Sequence, residues 1–131
     1  MGFLVDTNIA IEAGNAHKHV ARKFAEHDGR VFLSALSLAE LQRGLLKDEA
    51  LAAGRRVRLE TLLRSVPVIP FDKAAAEVYG RIIAQCGWVK GRDFDRMIAA
   101  HAISTSSVLV TNNVADFRDI PGLKIENWAT D

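Results

Sequence analysis

Phe3-Leu4-Val5-Asp6-Thr7-Asn8 is the stretch that decides the fold, because an apolar strand runs directly into an acid and two small polar residues. A short apolar run of this kind is typical of a strand that is buried in a sheet. In open α/β sheets, ligands bind in the crevice beyond the carboxyl ends of the strands. We therefore expect Asp6 to lie at a ligand-binding edge.

Further short runs rich in Val, Ile, Leu and Phe follow along the chain, and segments with helical periodicity fill most of the gaps between them. These runs span residues 31–33, 66–69, 108–110 and 123–125. Strands that alternate with helices predict an α/β protein with a mainly parallel central sheet and helices on both faces. At 131 residues, the chain is expected to form a single domain, 1–131.

The helices are predicted from capping residues and from the spacing of apolar residues. The expected helices lie between Asn15 and Gly29, from about 37 to 47, from about 50 to 65, between Asp72 and Gly87, and from near Asp93 or Asp95 onward.

The chain has the features of a protein from a reducing compartment. Its single cysteine, Cys86, cannot form an internal disulfide. No basic region precedes the first apolar run, and no apolar stretch approaches the ~20 residues that span a membrane. We therefore expect a cytoplasmic protein with no membrane partner.

The net charge of +1 does not by itself indicate a nucleic-acid partner. Positive charge is nevertheless concentrated in the middle of the chain. The residues concerned are Arg43, Lys47, Arg55, Arg56, Arg58 and Arg64. A solvated helix face is the simpler interpretation of each one alone.

Two further acids stand among apolar neighbours. Glu40 lies in Ser37-Leu38-Ala39-Glu40-Leu41, and Asp95 lies at the start of Asp95-Arg96-Met97-Ile98-Ala99-Ala100. If these two acids converge with Asp6, their oxygens form a site for a hard divalent cation, Mg²⁺ or Mn²⁺, rather than for zinc.

Each acid also has an ordinary structural interpretation. Asp6 and Asp95 are favoured helix N-caps, and Glu40 has a surface ion-pair partner three residues later in Arg43. Asp72 and Asp119 are interpreted as cap and turn residues, and His101 as a packed or hydrogen-bonded structural histidine. Taken alone, none of these residues predicts a function.

The combination of motifs is more specific than any one of them. Asp6 lies in LVDTN, Glu40 in SLAELQRG and Asp95 in DRMIAAHA, followed by LVTNN from Leu109 to Asn113 and by the ending PGLKIENW. Taken together, in this order and over essentially the whole chain, the motifs resemble the PIN domain. More narrowly, they resemble the VapC ribonuclease toxins of bacterial toxin–antitoxin pairs.

The resemblance implies a three-layer α/β/α sandwich and a metal-dependent endoribonuclease. Asp6, Glu40 and Asp95 would be the catalytic acids, with Asp6 and Asp95 in primary contact with Mg²⁺ or Mn²⁺ and Glu40 as a third ligand or a water-mediated partner. The fourth ligand would be Asn113 or Asp116. The polar residues expected to orient the carboxylates are Thr7, Asn8, Thr111 and Asn112.

The resemblance also implies partners: an RNA substrate, a VapB-type antitoxin and a second copy of the chain in a homodimer. The chain departs from the family at two places. Residues 86–94 read CGWVKGRDF where many members carry GRPIG, and Asn113 stands where many PIN domains have an acid. No aromatic platform for stacking RNA bases is evident from the sequence.

Two alternatives remain at this point. A phosphatase of the haloacid-dehalogenase type also places a nucleophilic Asp after its first strand, but Asp6-Thr7-Asn8 departs from its Asp-x-Asp pattern. A non-catalytic PIN-like module that binds RNA or protein would use the acids only as caps.

Overall fold

The computed structural model describes residues 2–130, and a five-stranded parallel sheet runs through its centre. The strands are β1 (Phe3–Val5), β2 (Val31–Ser34), β3 (Val68–Ile69), β4 (Val108–Val110) and β5 (Ile125–Glu126). They lie in the order β3-β2-β1-β4-β5, and every neighbouring pair is parallel. Because all strands run the same way, their carboxyl ends meet at one edge of the sheet.

Helices connect the strands on both faces of the sheet. They are α1 (Thr7–Gly14), α2 (Lys18–Glu26), α3 (Ala35–Leu45), α4 (Glu49–Ser65), α5 (Lys73–Cys86) and α6 (Asp93–Ser104), with a 3₁₀ helix at Val114–Phe117. Within residues 2–130, no helix is both long enough and apolar enough to cross a membrane.

Alternating side chains of β1 divide the interior into two cores. Phe3 and Val5 face the core that is formed with α1, α2 and α4, and Trp128 closes that core. Leu4 faces the opposite core, which is formed with α5, α6 and the 3₁₀ helix. The sheet is therefore covered on both faces, which confirms the predicted three-layer α/β/α arrangement.

Several predicted element boundaries are wrong. Helix α2 begins at Lys18 and is capped by His17, because Asn15 belongs to the end of α1. Strand β3 covers only residues 68–69, and β5 begins at Ile125 rather than at 123. Both are edge strands with a single neighbour, so fewer backbone hydrogen bonds extend them.

Candidate active site

Asp6 lies at the carboxyl edge of the sheet, immediately after β1. Its amide donates to the carbonyl of Val110 at 2.9 Å, which fixes it beside the end of β4. Its Oδ1 accepts a hydrogen bond from the Ile9 amide at 3.0 Å, so Asp6 is the predicted cap of α1. The residue is only 8% exposed.

The environment of Asp6 opposes its ionisation. Burial raises the pKa of the Asp6 carboxyl above its ordinary value, and the nearby Glu40 charge raises this pKa further. Hydrogen bonds from the Thr111 hydroxyl and from the amides of Ile9 and Asn8 act in the opposite direction. The Thr111 hydroxyl and the Asn8 backbone amide thus contact Asp6.

Glu40 faces the start of α1 from the middle of α3. Its carboxylate accepts a hydrogen bond from the Thr7 hydroxyl, and Thr7 directly follows Asp6. The predicted ion pair with Arg43 is confirmed at 3.9 Å, although the Arg43 side chain is largely exposed. The Thr7 contact therefore does more than the ion pair to direct Glu40 towards Asp6.

Asp95 is the third residue of α6, so its alternative interpretation as the helix cap is wrong. The helix begins at Asp93, and Arg92 occupies the cap position without a side-chain cap hydrogen bond. Burial raises the pKa of Asp95, and the charges of Asp116, Asp6 and Glu40 raise it further, whereas Arg92 opposes them. The negative charges of the other three candidate acids therefore all act on the Asp95 carboxyl.

The segment after β4 brings two candidate ligands to the same edge. The Asn113 amide donates to the Thr111 hydroxyl at 3.0 Å, and the Asp116 amide donates to the Asn113 carbonyl at 3.0 Å. Asn113 is exposed, whereas Asp116 is half-buried and acts on Asp95 more strongly than any other charge. Of the two, Asp116 is the better placed.

The residues at this edge fit a hard divalent cation in their chemistry. The charges of neighbouring acids raise the pKa values of the partly buried Asp6 and Asp95 beyond the effect of burial, and the buried Asn112 Oδ1 has no hydrogen-bond donor among residues 2–130. Oxygen donors that repel each other are stabilised when a divalent cation lies between them. As the side chains stand, no group of three or more His, Cys, Asp or Glu residues within 2–130 forms a ready-made cation cage.

A cleft of about 480 Å³ opens beside Glu40, between α1, α3 and α4. Thr7, Asn8 and Glu40 lie in its wall. The cationic residues that line it are Arg43, Lys47, Arg55 and Arg58. Four of the six basic residues singled out in the sequence therefore share a cleft with Glu40, and Arg56 and Arg64 do not line this cleft.

The PIN-domain family model matches residues 3–123. The chain belongs to the PIN-domain family. Over 98% of both chains, it is 33% identical to ribonuclease VapC2 of Rickettsia felis. It is 35% identical to the tRNA(fMet)-specific endonuclease VapC of Salmonella typhimurium, over 96% of this chain and 97% of that one.

A solved structure supports the same relationship. The crystal structure of DNA-bound VapBC from Salmonella typhimurium matches this PIN domain with a TM-score of 0.87 and 32% identity, over 98% of both chains. The comparisons confirm the predicted family, the predicted fold and the predicted class of activity, an endoribonuclease toxin. The dehalogenase-type alternative is therefore wrong.

Sequence reasoning missed a buried ion pair behind the acids. The Arg96 side chain is 3% exposed, and its Nη2 donates to Asp119 Oδ2 at 3.0 Å. Arg96 Nε and Nη1 have no hydrogen-bond partner within residues 2–130. This pair ties the start of α6, which carries Asp95, to the segment that carries Asp116. Asp119 is thus more than the predicted turn residue.

Replacing Asp119 by Asn should lower the free energy of unfolding by about 2 kcal/mol, because it leaves the buried Arg96 without a negative partner. The half-exposed position of Asp119 keeps the loss below that of a fully buried pair. Urea unfolding measures the change, and Asp28→Asn, at an exposed turn, is the control. Equal stability of the two variants would show that the pair contributes nothing.

His101 and Cys86 contact neighbouring residues of the fold through packing and hydrogen bonds. His101 Nδ1 lies 2.8 Å from Ser34 Oγ, its ring meets Phe71 edge-on, and burial lowers its pKa. The predicted structural histidine is confirmed. Cys86 is half-buried, and its Sγ donates to the Asp119 carbonyl at 3.3 Å.

Proposed function

We propose that this PIN-domain protein hydrolyses RNA phosphodiester bonds with a divalent cation, Mg²⁺ or Mn²⁺, held by Asp6 and Asp95. The observation that supports the proposal is the gathering of buried acids at the carboxyl edge of the sheet: burial raises the pKa values of Asp6 and Asp95, and the nearby charges of Glu40 and Asp116 raise them further, Glu40 acting on both and Asp116 on Asp95. Proteins keep such crowded acids where a cation or a proton balances them.

The residues at the site have different roles in the proposed reaction. The bound cation supplies charge neutralisation and a more acidic water. Asp6 and Asp95 hold it, and the Thr111 hydroxyl fixes the Asp6 carboxylate. Glu40, directed by Thr7, orients the attacking water or accepts its proton. Asn112 offers its buried carbonyl oxygen to the same region.

The basic cleft gives the RNA strand a path to the acids. Arg43, Lys47, Arg55 and Arg58 neutralise phosphates without reading sequence. Arg55 Nη1 also donates to the Gly44 carbonyl at 3.1 Å, which holds α4 against α3 and keeps the cleft walls together. Because the Salmonella relative is named a tRNA(fMet)-specific endonuclease, initiator tRNA is the first RNA to test.

We also propose a VapB-type antitoxin as a partner. Solved relatives include VapBC complexes from Rickettsia felis and Salmonella typhimurium. In this chain, the exposed apolar residues Ile11, Leu51 and Val57 border two neighbouring clefts along α1 and α4. An apolar partner segment would cover them. The homodimer and the cytoplasmic location are likewise proposed, on the family resemblance and on the single cysteine.

The function is tested by incubating the purified protein with total RNA and with initiator tRNA, in Mg²⁺ or Mn²⁺. We expect discrete new RNA ends that appear with the metal and disappear with EDTA. A parallel reaction with Asp6→Asn protein excludes a contaminating nuclease. RNA that stays intact under all metal conditions, with a folded and antitoxin-free protein, would contradict the proposal.

A further inference from the structure

Two glycines allow the loop between α5 and α6 to turn sharply. Gly87 ends α5 with a φ of +80°, and Gly91 turns the chain with a φ of +84°, a conformation that other residues adopt only with strain. The Arg92 amide donates to the Val89 carbonyl at 3.1 Å and closes the turn. Residues 88–90 are therefore held at the entrance to α6.

This tip displays large apolar side chains to solvent. Trp88 is 61% exposed and Val89 is 40% exposed, whereas the other tryptophan, Trp128, is 1% exposed. Single exposed apolar residues are ordinary on protein surfaces. Two adjacent ones, including an indole, in a turn that a backbone hydrogen bond closes are a more specific arrangement, because the indole keeps most of its surface accessible.

The charges around the tip favour a nucleic acid over an apolar protein surface. Lys90 is exposed, Arg92 is half-buried, and neither forms an ion pair within residues 2–130. Arg92 is the cap residue of α6 and Asp95 is the third residue of that helix, so the loop leads directly to one of the acids. An aromatic face beside cations is the arrangement on which single-stranded bases stack while phosphates are neutralised.

We propose that Trp88 stacks on an unpaired base of the RNA substrate close to the cleaved bond, and that Lys90 contacts a neighbouring phosphate. The inference rests on the proposed ribonuclease function and names a binding residue for it, not a catalytic one. The proposed platform lies in residues 86–94, where the chain departs from GRPIG. The sequence alone does not indicate it, because the exposure of Trp88 depends on the fold.

Binding is measured in an Asp6→Asn background, so that the RNA stays intact. The probes are initiator tRNA and a short unstructured RNA, each fluorescently labelled, without added antitoxin. Trp88→Ala should weaken binding about tenfold, in the range of one lost base-stacking contact. Trp88→Phe, which keeps an aromatic face, should retain most of the affinity. Gln85→Ala, at an exposed and uncharged residue in the last turn of α5, is the control.

Intrinsic fluorescence gives an independent readout. Because Trp128 is buried, quenching by RNA in the parent protein should come from Trp88 and should be absent in Trp88→Phe. Cleavage by the corresponding variants with Asp6 intact should show a raised KM and a nearly unchanged kcat. Sedimentation of every variant records the oligomeric state.

The outcomes separate the two proposals. If the parent protein binds RNA and Trp88→Ala binds it equally well, the stacking inference is wrong and the ribonuclease function stands. If Trp88→Ala changes the sedimentation of the free protein, the loop is a surface between copies of the chain, and the inference is again wrong. If the parent binds no RNA and the wild type cuts none, both proposals fall together.

Discussion

Asp6→Asn and Asp95→Asn are each expected to reduce metal-dependent RNA cleavage by roughly 1,000-fold, since a bound cation supplies several kcal/mol of transition-state stabilisation. The isosteric amide keeps the shape of the side chain and loses its charge. In Asp6→Asn, the Oδ1 that caps α1 through the Ile9 amide is retained, so the fold should persist. Initial rates at saturating Mn²⁺ measure the effect.

Asp72→Asn is the matched control, because Asp72 caps α5 through the Ala75 amide in the same way as Asp6 caps α1. It should keep full activity. If Asp6→Asn cleaved RNA as fast as Asp72→Asn, Asp6 would be only a cap, and its assignment as a metal ligand would be wrong.

The same Asp6→Asn variant should be more stable than the wild type when metal is absent, by roughly 2–5 °C in Tm at neutral pH. Asp6 titrates at 3.8 in an ordinary environment and higher in the folded protein. Between these two pKa values, the folded protein binds more protons than the unfolded chain, so wild-type stability falls as pH rises through this window. The extra stability of Asp6→Asn over the wild type is therefore present at pH values above both pKa values of Asp6 and disappears at pH values below both.

When metal is present, we expect the wild type to be more stable than Asp6→Asn. Millimolar Mn²⁺ should raise the Tm of the wild type by mass action and leave that of Asp6→Asn unchanged. A wild-type Tm that does not respond to Mn²⁺ would contradict any cation site at this edge of the sheet.

The position of Asp6 could be predicted because a parallel sheet leaves little choice. An acid that directly follows an apolar strand must lie at the carboxyl edge. The register between Val5 and Val110 then places Thr111 next to Asp6. Both residues follow from local patterns, which is why the contact between them agrees with the sequence.

Asp95 lies on the predicted helix, but its alternative interpretation as the helix cap is wrong, because the start of α6 depends on the turn before it. The hydrogen bond from the Arg92 amide to the Val89 carbonyl closes that turn. The spacing of apolar residues in the sequence does not predict this turn. The helix therefore begins at Asp93, and Asp95 is left free to face the other acids.

Arg96 and Trp88 were missed because burial is decided by tertiary packing. Arg96 follows an acid in a helix and reads as a surface residue, yet it meets Asp119, 23 positions later, in the interior. Trp88 and Trp128 are the same residue type, and only the fold shows that one faces solvent and the other closes a core.

The identity of the fourth metal ligand, Asn113 or Asp116, is the most direct test of the proposed site. Asn113 occupies the position that is acidic in many PIN domains and directly precedes the 3₁₀ helix, whereas Asp116 lies three residues later within that helix. Asp116 is the strongest charge acting on Asp95. Because a neutral amide is a weaker ligand for a hard cation, we infer that Asp116 has taken over the task.

Asp116→Asn should therefore lower cleavage by roughly 30-fold at limiting Mn²⁺ and less at saturating Mn²⁺, within the range for groups that support a metal site. Asn113→Ala should cost only a few-fold. Removing the Asp116 charge should also lower the pKa of Asp95, so that Mn²⁺ binding persists to a lower pH than in the wild type. A loss of cleavage activity as complete as in Asp6→Asn would show that Asp116 is a primary ligand. Wild-type cleavage rates and an unchanged pH profile would show that Asp116 is a surface residue. The remaining ligands of the cation would then have to come from the RNA phosphate.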